Sequence, residues 1–147
     1  MKAALLATLL ATTAAHAAPD YINIGGVSYH YDANGRAIGF NESNPGIGAT
    51  WAGRDLPVVG SADISVGVYR NSIGHDSAYI GFDKLPIQAA GGRAGVTAIL
   101  ATGYEIPVLP IVAPTICWQY ICALATPPIK GKTVGMASLQ FRFQITK

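Results

Sequence analysis

The sequence predicts an all-β protein, an eight-stranded antiparallel transmembrane β-barrel. Three observations predict it. First, apolar and polar side chains alternate with period two. Leu139, Phe141, Phe143 and Ile145 alternate with Gln140, Arg142, Gln144 and Thr146, and Ala62, Ile64, Val66 and Val68 alternate with Asp63, Ser65, Gly67 and Tyr69. Period two means β-strand, with one face in an apolar medium and the other in a polar one. Second, charged residues make up only 12% of the chain, about half the share of soluble domains. Third, the N-terminus has the pattern of an export signal.

That signal is read over residues 1–17. Lys2 precedes the apolar run Ala-Leu-Leu-Ala-Thr-Leu-Leu-Ala, and the segment closes on Ala15-His16-Ala17. A charged start, a short apolar stretch and an A-x-A end mark a cleaved secretory signal. Residues 18–147 then form one domain. A formal net charge of +2 creates no field that points to nucleic acid. The segment from Ile106 to Thr126 is apolar enough to suggest a membrane helix, but Pro107, Pro110 and Pro114 fall inside it and break a helix.

The mature chain reads as eight short strands. Gly25 to Tyr31 is the first, and Gly46 to Ala52 the second, with Ile47, Ala49 and Trp51 on one face. Ser61 to Arg70 and Ser77 to Leu85 are the third and fourth. Arg93 to Ala101 is the fifth, with Ala94, Val96, Ala98 and Leu100 on one face. Pro107 to Ala113, Gln119 to Thr126 and Val134 to Ile145 complete the set. Turn residues separate them, among them Asp32-Ala33-Asn34-Gly35, Gly91-Gly92 and Pro127-Pro128, as hairpin chemistry requires.

Alternation alone fits a soluble lipocalin-like barrel with its apolar face inward, or an outer-membrane barrel with that face outward. Scarce charge favours the second. So do Gly67, Gly81 and Gly95 on the polar face, which leave interior room. Tyr29, Tyr31, Trp51, Trp118 and Tyr120 near strand ends suit an interfacial girdle. Cys117 and Cys122 in an exported chain are read either as a hairpin disulfide or as two free thiols. Their C-x4-C spacing without a nearby histidine is a poor metal signal, and no cofactor motif appears.

An even strand number puts both chain ends on the periplasmic side. The longest connection, Asp32 to Asn44, is then exterior. Parity turns Ser28 and His30 of the first strand inward, with Tyr69 and Asn71 of the third and Ser77, Tyr79 and Asp83 of the fourth. A histidine, an amide and a hydroxyl thus converge on the exterior mouth of the lumen, while the direction of Ser72 depends on its turn. Histidine serves as general base on a hydroxyl, serine as the reacting oxygen, and an amide as donor to a developing oxyanion. The bland alternative is a set of rim residues hydrogen-bonded within their loops.

At these residues the chain resembles the small outer-membrane lipid A acyltransferases of the PagP (palmitoyltransferase) type. The resemblance runs through Ser28-Tyr29-His30, Asn41 to Gly48, Gly67-Val68-Tyr69-Arg70-Asn71-Ser72, Gly95-Val96-Thr97, Gly103-Tyr104, Ile106 to Pro110 and Leu139 to Phe143. It implies transfer of an acyl chain from a phospholipid to lipid A in the outer membrane of a Gram-negative bacterium, without a cofactor. It implies an exterior-loop histidine, matched by His30, and an Asp-Ser pair after the third strand. Asn71-Ser72 matches that pair by context and Asp76-Ser77 by letters. The family's N-terminal amphipathic helix has no counterpart here.

Two further readings stand beside this one. A lipid A deacylase is suggested by His30-Tyr31-Asp32 and Asn44-Pro45-Gly46, although Asp32 stands where a serine is expected. A non-enzymatic structural or surface-interaction barrel would carry Arg70, Arg142, Asp63 and Asp83 as a lumen plug. Prolines 107, 110 and 114, with Pro127 and Pro128, remove ladder donors. They are read either as simple strand-end markers or as weakening one wall, so that an acyl chain could enter sideways. Ile99 and Ala101 on the lumen face hint at an apolar patch for it. Nothing in the sequence specifies an oligomeric state.

Overall fold

A computed structural model describes residues 18–128 and 134–145. Residues 1–17, read from the sequence as an export signal, residues 129–133 and the last two residues lie outside the described residues. Eight strands form one closed antiparallel barrel in sequential order: β1 (Tyr21–Tyr31), β2 (Gly46–Leu56), β3 (Gly60–Arg70), β4 (Asp76–Ala89), β5 (Gly92–Ala101), β6 (Leu109–Trp118), β7 (Ile121–Thr126) and β8 (Gly135–Gln144). Pairing of β1 with β8 closes the barrel. Among the described residues no helix is long and apolar enough to cross a membrane.

Several strands are longer than their alternation suggests, because bulges carry them past apparent breaks. Gly25-Gly26, read as the start of the first strand, is a bulge inside β1, and the register shifts between Ile24 and Val27. A Cβ on Gly26 would collide with the backbone of Leu139, so the wall closes only around glycine here. β2 continues past Ala52 through a bulge at Gly53, whose φ is 59°. β4 continues past Leu85 through a bulge between Lys84 and Ile87, and Pro86 needs no ladder donor there. β6 begins at Leu109, so Pro107 belongs to the preceding loop.

The two ends of the barrel differ in construction. At one end the connections are tight. Ala90 and Gly91 both have positive φ, at 50° and 78°, as a two-residue hairpin loop requires, and Gln119-Tyr120 joins β6 to β7. Both chain termini leave from this turn end. The opposite, loop end carries the long β1–β2 connection over residues 32–45 and the other three loops. A disulfide joins Cys117 to Cys122 across the β6–β7 hairpin, where the two residues are register partners, which decides between the two sequence readings.

Burial follows the predicted parity and is inside-out. Asn23, Ser28, Thr50, Asp63, Ser65, Asp83, Thr97 and Arg142 are buried in the interior, while Ile47, Val68, Val112, Ile116, Leu139 and Phe141 are exposed on the outer wall. Lys84, whose register partner is the outward Val96, reaches the Val59 carbonyl in the β2–β3 turn at 2.6 Å. Its charge is carried to the turn end in the manner of a snorkelling lysine. Aromatic pairs mark both margins: Tyr29 stacks on Tyr31 near the loop end, and Tyr120 on Phe143 near the turn end.

Candidate functional site in the barrel lumen

Eight strands enclose an interior just wide enough for side chains to fill. Here the turn-end half is filled by ions. Asp63 Oδ2 accepts from Arg93 at 2.6 Å and from Arg142 at 2.9 Å, and Asp63 Oδ1 accepts the Gly53 N–H at 2.9 Å. Arg142 also lies 3.7 Å from Asp83, and its guanidinium sits 4.2 Å from the centroid of the Tyr21 ring. Thr97 donates to Asp83 at 2.8 Å. Two acids and two bases thus neutralise one another across four strands.

This plug corrects one expected member. Arg70 does not enter the lumen, because Tyr69 takes the inward position and Arg70 points out, where it pairs with the exposed Asp76 at 3.1 Å. Arg93 fills the role instead.

Above the plug lies a cavity of about 120 Å³. Ile99, Ile111, Leu124 and Met136 line its walls, with Tyr69, Tyr79 and Tyr104. Glycines opposite Tyr79 make room for its ring against the wall. A Cβ on Gly67 would lie 2.6 Å from the Tyr79 ring, and one on Gly48 would lie 2.5 Å from the Tyr79 hydroxyl. Ala101 is fully buried on the same lumen face, as its parity requires. Ser28, Asn44 and Ser72 complete the lining toward the loop end. The hydroxyls of Tyr69 and Tyr104 meet at 2.9 Å, tying β3 to the β5–β6 loop.

The sequence-predicted residues sit at the loop end in distinct roles. His30 faces inward and is 7% exposed. Its ring packs edge-on against Phe40 at 5.0 Å, and its Nδ1 is buried without a partner. Asn71 is wholly buried and fully engaged. Its amide donates to Ser77 Oγ at 3.0 Å and to the Gly103 carbonyl at 2.8 Å, while its Oδ1 accepts from the N–H groups of Ile73 and His75. Asn71 therefore holds the β3–β4 turn to the β5–β6 loop. Ser77 is buried beside it.

Ser72 lines the cavity, and its carbonyl accepts the Asn41 N–H at 2.8 Å. Asp76 points away from the lumen toward Arg70. The structure thus brings Asn71, Ser72 and Ser77 together. His30 approaches them through Phe40 and Asn41, the segment that packs on its ring and bonds to Ser72. In the same loop, the backbone N–H groups of Arg36 and Asn34 hold the Asp32 carboxyl below the usual carboxylate range.

Sequence reasoning missed the cavity's partners across loops. Tyr104 and Asn44 come from connections, where alternation assigns no face. Ser28 Oγ and Asn44 Oδ1 lie 2.5 Å apart, which draws the end of the long loop over the cavity. Asn23 on β1 is also a lining residue, and it precedes the first strand as read from the sequence.

The prolines act on one side of β6 only. Pairing with β5 is continuous from Leu109 to Trp118. Pairing with β7 covers only Thr115 to Trp118. Among the described residues no register pairs join β7 to β6 above Thr115, and Leu124 beside this stretch lines the lumen cavity.

No protein-family profile and no curated protein sequence matches this chain.

Proposed function

We propose that this protein is an outer-membrane β-barrel that takes a lipid acyl chain into its lumen and transfers it from phospholipid to lipid A. The observation that carries the reading is the inside-out barrel with an apolar cavity closed at one end by ions. An apolar outer wall is stable against hydrocarbon and costly against water. Strands of 10–14 residues, β7 excepted, have the length that tilted strands need to cross a bilayer. The short β6–β7 seam supplies a lateral way in for a chain.

In this mechanism His30 is the general base. Its inward imidazole takes the proton of a hydroxyl at the cavity mouth as that oxygen bonds to the ester carbonyl of the phospholipid, and returns it to the lysophospholipid oxygen as the ester bond breaks. A lipid A hydroxyl takes the acyl group by the same exchange. Ser72 is the hydroxyl best placed by its lining position. Ser77 and Asn71 hold the loops that shape the mouth, and Asp76 has no direct part. The PagP-like resemblance supports the same assignment for His30.

A second reading is favoured by one observation. Every hydrogen-bonding group of the Asn71 side chain is engaged within the loops, as in a barrel that binds lipid without reacting with it. One experiment separates the two. The purified barrel is incubated with phospholipid and lipid A, and the mass of lipid A is read. Acyl transfer adds one chain, and His30→Ala lowers the yield at least roughly 100-fold, the scale of a lost general base. Unchanged lipid A mass rejects transfer, and loss of a chain identifies a deacylase.

A further inference from the structure

We infer that the lumen cavity is a recognition site for a hydroxylated single-chain amphiphile, with Asn23 as the residue that reads its O–H. This rests on the proposal that the lumen receives lipid chains, and it adds a polar requirement that an acyl-chain slot alone lacks. Asn23 is 3% exposed and lines the cavity. Its Nδ2 donates to Thr50 Oγ1 at 2.7 Å. Its Oδ1 is buried with no hydrogen-bond partner. A buried amide oxygen left unpaired is costly, and such a group in a native interior calls for a specific partner.

The neighbours do not supply that partner. Arg142 is the register partner of Asn23 on β8, but its two terminal nitrogens are engaged by Asp63 and Asp83, and its buried Nε makes no hydrogen bond to Asn23 or to any other group. On the other side the register partner is Gly48, which has no side chain and against which the Tyr79 hydroxyl lies. That hydroxyl makes no hydrogen bond to Asn23 Oδ1. Asn23 therefore presents one unpaired acceptor at the boundary between the ionic plug and a space walled by Ile99, Ile111, Leu124 and Met136.

A purely apolar chain entering this space would leave that oxygen unpaired, whereas a chain bearing a hydroxyl would pair it and bury its carbons against Ile99, Ile111, Leu124 and Met136. Sites built to hydrogen-bond a ligand hydroxyl reject analogues that lack it far more strongly than apolar pockets sort by size. The cavity volume of about 120 Å³ approaches that of apolar cavities that hold one benzene ring. The portion recognised is accordingly a short alkyl segment carrying one hydroxyl.

Heptan-1-ol and its isomer 1-methoxyhexane test this. They match in atoms and bulk, and only the alcohol has an O–H. Binding to the full-length barrel in detergent micelles is followed by NMR titration, with the side-chain methyl groups of Ile99, Leu124 and Met136, which line the cavity in wild type and variant alike, as reporters. The wild type is expected to prefer the alcohol at least tenfold over the ether, relative to an Asn23→Leu variant in the same micelles, which cancels micelle partitioning. Heptan-1-ol should also give NOEs to the methyl groups of Leu124 and Met136.

Equal preference in wild type and variant overturns the inference, as does the absence of NOEs, which is the result expected if water alone pairs Asn23. Should Asn23→Leu fail to fold, Asn23→Ala serves in its place, and an alcohol preference equal to that of the wild type counts against the inference. Lipid A mass does not enter this readout. Failure of acyl transfer with a retained alcohol preference removes the reaction and leaves the site, and the reverse result removes only the site.

Discussion

The two halves of the lumen solve the same problem in opposite ways. Both face inward in a barrel whose outer wall is apolar, so both carry polar residues by parity. In the turn-end half, Asp63, Asp83, Arg93 and Arg142 pair with one another and fill the space. In the loop-end half, apolar side chains and Tyr79, seated against glycines, wall a cavity, and polar groups lie at its mouth and floor. The contrast assigns stability to one end and binding to the other. A buried ion network is strong only when complete, whereas a cavity sacrifices packing for room.

Three changes would break or sharpen this contrast. The largest effect is expected from Asp63→Ala. It removes the shared acceptor of Arg93 and Arg142, leaving Arg142 with only its longer contact to Asp83. A loss of about 3–5 kcal/mol is expected, read as a lower urea midpoint of the barrel in lipid vesicles. A loss below about 1 kcal/mol would mean that the plug is not what holds the turn end.

Asn71→Ala should act on the other half alone. Four hydrogen bonds end there, and at about 1 kcal/mol net each their loss costs about 3 kcal/mol, allowing for partial replacement by water. Amide hydrogen exchange should quicken at Ile73 and His75 and stay unchanged at Arg93 and Thr97. Equal quickening at both ends would show that the halves are coupled rather than separate.

The smallest effect is expected from the double change Cys117→Ser and Cys122→Ser. The bridge closes a short hairpin loop, for which chain entropy supplies at most about 2 kcal/mol. Its absence should loosen the turn-end root of the β6–β7 seam, seen as faster exchange at Thr115 and Ile116. Leaving those amides unaltered would show that the four register pairs suffice without the bridge.

Parity made much of this legible in advance. Val27 and Tyr29 are out and Ser28 and His30 in, and the same alternation put Tyr69, Asn71, Ser77, Tyr79 and Asp83 inside. A strand has only two faces, so one correct assignment orients all its neighbours. The reading weakened wherever regular spacing lapsed. The bulges at Gly25-Gly26, Gly53 and Leu85-Pro86 looked like strand ends, because a glycine pair or a proline usually is one. Asn23 was therefore placed before the barrel, although it lies within β1. Asn71 and Asp76 show the same limit at the site. Both are polar residues near one rim, yet one is buried at the centre of the loops and the other pairs with Arg70 outside.

By itself the sequence determined the strands, their order and which side chains look inward, because period two is a local property of an extended backbone. It also set the low charge that an apolar outer wall demands. Only the tertiary structure decided how the inward residues divide between plug and cavity. Arg93 meets Asp63 across the barrel, Tyr104 meets Tyr69 from a loop, and Asn23 is left with one unpaired oxygen at the boundary, all through contacts between residues distant in the chain. Closing the barrel fixes those distances, and alternation along a single strand carries no information about them.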